Sequence, residues 1–307
     1  MSDLPRDILH CIGSTRLLAL RQVRPRNGAR ILLKLESENP TGSMKDRIAL
    51  AMIETAEADG RLGRGGSVVE YTGGSTGVSL ALVCAVKGYP LHVVTSDAFA
   101  REKLDHMRIL GARLRIVPSD SGRMTEKLTR DMIEAARVIA AETGGFWTDQ
   151  LNNRDQLAAY HRMADEIWTQ TGGRIDGFVQ SVGTAASLRG TGEALRLRND
   201  WIRVVAVEPA ESPVLSGGPS GAHKIDGIGA GFIVPLWQAG IADRIEPVST
   251  EEAGAMALRL AREEGLFAGT STGANVVAAL RLAEQLGPDA TVVSVMCDTG
   301  MKYLSKR

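Results

Sequence analysis

Alternation is the feature that most limits what this chain can fold into. Short β-branched apolar runs at 30–35, 67–71, 91–95, 114–117, 178–181, 204–207 and 291–295 have the length and composition of strands. Between them lie longer stretches with apolar residues at helical spacing, at 48–58, 78–86, 126–140, 154–171, 251–264 and 273–285. Strands that take turns with helices are joined by crossovers. The expected fold is therefore α/β, two lobes with mostly parallel, twisted sheets flanked by helices. The start differs: runs at 16–23 and 30–35 flank Arg24-Pro25-Arg26-Asn27-Gly28, and Asn-Gly is a strong hairpin signal, so an N-terminal β-hairpin is expected.

Charge and cysteine usage narrow the function. Thirty-six basic residues balance 36 acidic ones, which argues against a nucleic-acid or anionic-membrane protein. Cys11, Cys84 and Cys297 are too few and too scattered for a disulfide framework or a zinc site, as expected of a reducing cytoplasm. The first residues lack the pattern of a secretory signal, and no apolar stretch is long enough for a bilayer. A soluble cytosolic globular protein is what these features leave. His10, His92, His106, His161 and His223 share no metal-ligand spacing, so no metal is expected.

Four segments rich in Gly, Ser and Thr stand where strands give way to helices: residues 39–47, 72–77, 183–187 and 269–273. Helix starts carry unpaired N–H groups and the positive end of the dipole, so such segments suit an anionic ligand. Each also reads as an ordinary helix cap. Nucleotide fingerprints fit poorly: the glycines at 73, 74 and 77 miss G-x-G-x-x-G, and no phosphate-binding G-x4-G-K-[ST] loop occurs. Lys45 is the odd residue. A lysine in the first turn of an apolar helix faces the unfavourable end of the dipole. It is either a surface lysine paired with Asp46 or Glu38, or an amine kept uncharged so that it can condense with a carbonyl as a Schiff base.

Asn39-Pro40-Thr41-Gly42-Ser43-Met44-Lys45-Asp46-Arg47 resembles the lysine-bearing motif of the cysteine synthase (O-acetylserine sulfhydrylase) and cystathionine β-synthase family, fold-type II pyridoxal-phosphate enzymes with a tryptophan-synthase-β-like architecture. The likeness continues through Val69-Glu70 and residues 72–77, residues 183–187, 208–218, 223–232 and 271–273, and ends in Asp298-Thr299-Gly300 and Tyr303-Leu304-Ser305. The resemblance implies that Lys45 holds pyridoxal 5'-phosphate and is catalytic. It implies that Gly183, Thr184, Ala185, Ala186 and Ser187 cradle the phosphate, and that Ser271 meets the pyridine nitrogen. Thr72, Gly73, Gly74, Ser75 and Thr76, with Gln150 and Gly227, would bind the substrate, and Ser75 would also reach the cofactor.

The implied reaction is β-replacement on an activated L-serine, most simply O-acetyl-L-serine and sulfide giving L-cysteine and acetate through an α-aminoacrylate. Alternatives on the same fold are cystathionine, S-sulfocysteine or diaminopropionate synthesis, or serine/threonine dehydration; a non-catalytic partner-binding scaffold is a reading from a different class. The implied lobes are 1–12 with 36–149, mobile within about 90–135, and 13–35 with 150–307. A homodimer and a serine acetyltransferase C-terminal tail are the implied partners. The chain departs from the family at Gly73 and Ser75, where serine and asparagine are usual, and at Ala185 and Ala186, where glycines are common. Backbone donors at 185 and 186 survive that change provided neither residue needs a positive φ. Cys297, at the end of an apolar run, reads as a buried thiol before a nucleophile.

Overall fold

The computed structural model describes residues 5–120, 122 and 125–306. The chain divides into two compact units, one of 1–13, 39–156 and 302–307, the other of 14–38 and 157–301. The first unit thus takes in residues 150–156 and the chain's last residues, which the sequence reading assigned to the larger lobe.

In the first unit a four-stranded parallel sheet has the order β5 (Arg113–Val117), β4 (Leu91–Ser96), β3 (Val68–Tyr71) and β6 (Phe146–Trp147). Helices α1 (Lys45–Ala58), α2 (Ser75–Lys87), α3 (Arg101–Ile109) and α4 (Glu126–Thr143) belong to this unit. β3 is buried along its whole length, as a central parallel strand must be. Its core includes Ile48, Met52, Val69, Val78, Leu80, Val93, Met107 and Met132, all fully buried. Both ends of α4 follow local rules. Thr125 caps α4 by accepting from the Leu128 N–H, and Gly144 ends that helix in the left-handed region.

The second unit holds a six-stranded sheet in the order β1 (Leu17–Ala19), β2 (Arg30–Leu35), β10 (Thr291–Met296), β7 (Gly177–Ser181), β8 (Arg203–Pro209) and β9 (Arg244–Val248). All pairings are parallel except β1 with β2. Helices α5 (Gln156–Thr171), α6 (Ala186–Arg196), α7 (Thr250–Glu263) and α8 (Thr270–Leu286) complete it, apart from the first residue of α5. Ile31, Leu33, Val179, Val207 and Val292 pack with Ala253, Leu260, Val276 and Ala279 from α7 and α8 into one core. A capping box between Ser249 and Glu252 opens α7.

The N-terminal hairpin forms, with Leu18 opposite Leu33, but Asn27-Gly28 is not its tight turn. β1 ends at Ala19 and a long loop runs from there to Arg30. A Cβ on Gly28 would lie 2.4 Å from the Pro25 ring and 2.8 Å from the Ala283 carbonyl oxygen. The glycine serves a close approach to α8 there, and the Ala29 N–H donates to that same carbonyl at 2.9 Å. Inside this unit Lys34 is fully buried on β2; its Nζ donates to the Thr15 carbonyl (2.6 Å) and pairs with Glu166 on α5 (2.6 Å).

Candidate active site

Lys45 opens α1 and is half-buried. Gly42, at φ 74°, makes the turn before it, and its N–H donates to the Asn39 carbonyl at 2.7 Å. Asp46 ties that turn down. The buried carboxylate accepts from the Thr41 N–H (2.7 Å), the Thr41 hydroxyl (2.5 Å) and the Ser79 hydroxyl of α2 (2.5 Å). Burial pushes the Asp46 carboxyl above the usual carboxylate range, against the pull of those three donors. The two acids of the surface-pair reading are thus engaged elsewhere, Asp46 with Thr41 and Ser79, and Glu38 with Arg16 (2.7 Å from its Nε).

The loop from β3 into α2 has little room for side chains. Thr72 folds its hydroxyl back to accept from the Gly74 N–H at 3.1 Å. Gly74 has φ 144°, and a Cβ there would lie 2.2 Å from Lys103 Cδ. A Cβ on Gly73 would lie 2.5 Å from Phe99 Cε1 and 2.8 Å from Cζ. Lys103, in the first turn of α3, and Phe99, two residues before that helix, therefore lie against this loop. The Lys103 ammonium stands 4.1 Å from the centre of the Tyr303 ring, a cation–π contact. Phe99 accounts for the departure at position 73: the aromatic ring fills the space that a serine side chain would need.

Below the loop lies a buried network. Glu70, on β3, is fully buried; its Oε1 accepts from the Tyr71 N–H (2.8 Å) and its Oε2 from the Thr148 hydroxyl (2.5 Å) and the Gln150 N–H (3.0 Å). Gln150 in turn donates from Nε2 to the Tyr71 carbonyl (3.0 Å) and accepts at Oε1 from the Thr76 hydroxyl (2.7 Å). Burial pushes the Glu70 carboxyl up to about 8, although the Thr148 hydroxyl and Gln150 N–H favour its charged form. Thr72, Thr76 and Gln150 are thus brought together in the first unit, with Lys45, Gly73, Gly74 and Ser75 on the same body.

The second unit collects the remaining predicted residues at the carboxyl end of its central strands, β7 and β10. β7 runs into α6, and neighbouring β10 ends beside the start of α8, where the Gly269 N–H donates to the Asp298 carbonyl. Ser271, 5% exposed, is in the first turn of α8, and Ser187, 6% exposed, in that of α6. Asn275, one turn after Ser271, accepts from the Ser181 N–H (2.7 Å) and donates to the Val295 carbonyl (2.9 Å), locking the ends of β7 and β10 together. Gly183 has no room for a side chain, since a Cβ would lie 2.4 Å from the Gly227 carbonyl oxygen. Gly227 has φ 84°, and the adjacent Asp226 N–H donates to the Thr270 hydroxyl at 3.2 Å. Gly183, Thr184, Ala185, Ala186, Ser187, Gly227 and Ser271 therefore share one neighbourhood.

One proviso of the sequence reading is not met. Ala185 has φ 68° and caps α6, so this alanine takes the left-handed conformation that glycine adopts without strain. Ala186 is ordinary helix. Cys297 is a buried thiol, 3.4 Å from Asn275 Nδ2 and 3.6 Å from Gln180 Nε2. Sequence reasoning did not single out Glu70, Thr148, Phe99 or Lys103. The available signal was Glu70 itself, one acid in the otherwise uncharged strand Val-Val-Glu-Tyr.

An enzyme built around a pyridoxal-phosphate cofactor is the class this fold and these helix starts define, and the chain belongs to it: the family model described as "Pyridoxal-phosphate dependent enzyme" matches residues 8–298. Its relatives make it an enzyme of the cysteine synthase type. A cysteine synthase of Staphylococcus aureus is 40% identical over 308 residues, 99% of this chain and 97% of the relative. The crystal structure of cysteine synthase from Entamoeba histolytica superposes with a TM-score of 0.92 at 36% identity, covering 99% of this chain and 90% of that one. An O-acetylserine-dependent cystathionine β-synthase from Helicobacter pylori has a TM-score of 0.92 at 32% identity, covering 99% and 98%. Among the described residues no helix is long and apolar enough to cross a membrane, and no cluster of His, Cys, Asp and Glu would hold a metal ion.

Proposed function

We propose that this enzyme carries out β-replacement on an activated L-serine, with O-acetyl-L-serine as donor and sulfide as nucleophile, releasing L-cysteine and acetate. The observation that carries the reading is full-length identity of 40% to a cysteine synthase in a chain that keeps Lys45 at the opening of α1. The residues present fit pyridoxal phosphate. The first N–H groups of α6, with the hydroxyls of Thr184 and Ser187, form a dianion cradle, and the tight approach of Gly183 to the Gly227 carbonyl keeps side chains out of its entrance. Ser271 would stand at the pyridine nitrogen, a neutral hydroxyl where a carboxylate would keep that nitrogen protonated. The cofactor, when bound, supplies an electron-poor ring conjugated to the substrate Cα.

The chain's own side chains do the rest. Lys45 would hold the cofactor through its amine, and the same amine, placed at the substrate Cα, would take the Cα proton and later return it. Acetate leaves Cβ with its bonding pair, and sulfide forms the new C–S bond at the same carbon. The N–H groups at the start of α2, aided by Ser75 and by the second hydrogen of Gln150 Nε2, hold the substrate α-carboxylate. The Thr76 hydroxyl orients Gln150, to which it already donates.

A second reading is favoured by position 73. Filling that space with Phe99 changes the surroundings of the carboxylate loop, which supports a donor or nucleophile other than the usual pair. The test is a nucleophile panel of sulfide, thiosulfate, homocysteine and ammonia, with O-acetylserine and serine as donors. Wild type is expected to prefer O-acetylserine with sulfide, and Lys45→Ala to lose at least about a thousandfold in turnover, as removal of a sole general base and covalent anchor does. Consumption of free serine alone, with release of keto acid, would replace the proposal with a dehydratase. The family's homodimer and its capture of a serine acetyltransferase tail are proposed with it; light scattering and a tail-peptide titration test them. Cytoplasmic location is part of the same proposal.

A further inference from the structure

We infer that Glu70 is a positioning residue for substrate binding: buried under the α2 loop, it fixes the backbone from which Gln150 reaches Thr76 and Tyr71. The inference rests on the proposed role of that loop and of Gln150 in holding the substrate α-carboxylate. Three facts carry it. Glu70 is fully buried, yet among the described residues no cation is hydrogen-bonded to it, and its partners there are N–H and O–H groups of its own strand and of residues 148–150. Its acceptor Oε2 takes the Gln150 N–H, so it sets where that residue's backbone lies. The Gln150 amide is then spent locally, its oxygen on Thr76 and one N–H on the Tyr71 carbonyl, which aims the second N–H of Nε2.

Only a carboxyl group can do this at position 70. Each of its oxygens receives a backbone N–H, one from Tyr71 and one from Gln150. A carboxylate accepts both. A protonated carboxyl also accepts both, because its hydroxyl oxygen keeps a lone pair while donating to Thr148 Oγ1, whose own proton can turn to the Val69 carbonyl at 3.4 Å. An amide of the same shape cannot, since its NH₂ group faces one of the two N–H groups and accepts nothing. Glu70→Gln therefore preserves volume and burial while releasing either the Tyr71 or the Gln150 backbone, and this separates positioning from packing.

The experiment measures the dissociation constant of L-alanine, which carries the α-carboxylate and no β-leaving group, by calorimetry on the holoenzyme. Wild type is compared with Glu70→Gln, Gln150→Ala, Thr148→Val and Thr148→Ser, and the KM for the donor is measured beside the rate with saturating donor. Glu70→Gln is expected to weaken alanine binding and raise donor KM about tenfold, with turnover at saturation changed less than threefold. Thr148→Val is expected to weaken binding about threefold and Thr148→Ser to restore wild-type affinity; this pair decides the question should Glu70→Gln not fold. Binding by Glu70→Gln within twofold of wild type, with Gln150→Ala weakened, overturns the inference and leaves the carboxylate reading standing. Wild-type affinity in Gln150→Ala overturns the carboxylate reading, and the inference with it.

Discussion

Position 73 provides a steric test of how this chain departs from its relatives. Replacing Gly73 with serine puts a Cβ 2.5, 2.8 and 3.2 Å from three atoms of the Phe99 ring, where carbon atoms normally meet at about 3.5–4.0 Å. The backbone is not at fault, because Gly73 is absent from the positive-φ residues. The ring must give by about 1 Å, and forcing atoms into an occupied space costs about 1–3 kcal/mol. Phe99→Ala alone costs about 1–2 kcal/mol, less than the 3–5 of a fully buried phenylalanine because this ring is half-exposed. In the double variant the clash is gone, so its loss of stability should match that of Phe99→Ala, with a coupling of about 1–3 kcal/mol in favour of the pair. Urea unfolding of the holoenzyme, read by midpoint and slope, measures all four corners. Gly74 is the control: at φ 144°, Gly74→Ser stays destabilised even when Lys103 is cut to alanine. Additivity within about 0.5 kcal/mol at 73 and 99 would refute the matched-pair reasoning.

Three further outcomes follow from geometry already described. Ala185→Val should cost about 2 kcal/mol or more by thermal unfolding, because a β-branched side chain at φ 68° is a larger strain than the alanine now carried there. Glu70, with its folded value raised to about 8 and an unfolded value near 4.3, binds a proton in the native state that the unfolded chain has released between those values. Its contribution is therefore complete below about pH 4 and is lost as pH rises towards 8, so wild-type stability relative to Glu70→Gln should fall by up to about 1.4 kcal/mol per pH unit in that window. A flat difference between pH 5 and 8 in paired urea titrations contradicts this. Lys34→Met should lose about 3 kcal/mol, since it strips Glu166 and the Thr15 carbonyl of their shared partner, and chemical denaturation checks it.

The parallel strands were legible because burial on both faces demands unbroken β-branched runs, as in Arg30–Leu35 and Thr291–Met296. Other elements were less so. β9 reads Arg-Ile-Glu-Pro-Val, with charges and a proline, which an edge strand tolerates and a central one does not. In α6 the glycines at 190 and 192 look like breakers, yet each sits where a neighbour presses close. A Cβ at 190 would lie 2.8 Å from Tyr160 Cβ, and one at 192 would lie 3.3 Å from Val204. Lys45 and the helix-start loops stood out through local chemistry, and Ser271 through the family resemblance. Glu70, Asp46 and Phe99 did not, because what distinguishes them is which distant groups they meet: Thr148 and Gln150 for Glu70, Ser79 for Asp46, Gly73 for Phe99. Strand register and turn chemistry carry no record of such partners.

The place of β10 in its sheet bears on how the protein is made. This strand is the last of the six in its sheet to be synthesised, yet it lies between β2 and β7, two strands with no contact to each other in the finished ladder order. On the ribosome, β2 emerges about 250 residues before the strand that will sit beside it, a wait of about 13–50 s at ordinary elongation rates. Once β7 has also emerged, for roughly the last 110 residues of that wait, the nascent chain carries two bare, apolar strand edges facing an empty slot, the situation in which wrong pairings and chaperone capture arise. Moving β10 to the front of the gene by circular permutation would let the slot fill early, and the yield of folded protein from translation without chaperones should rise accordingly.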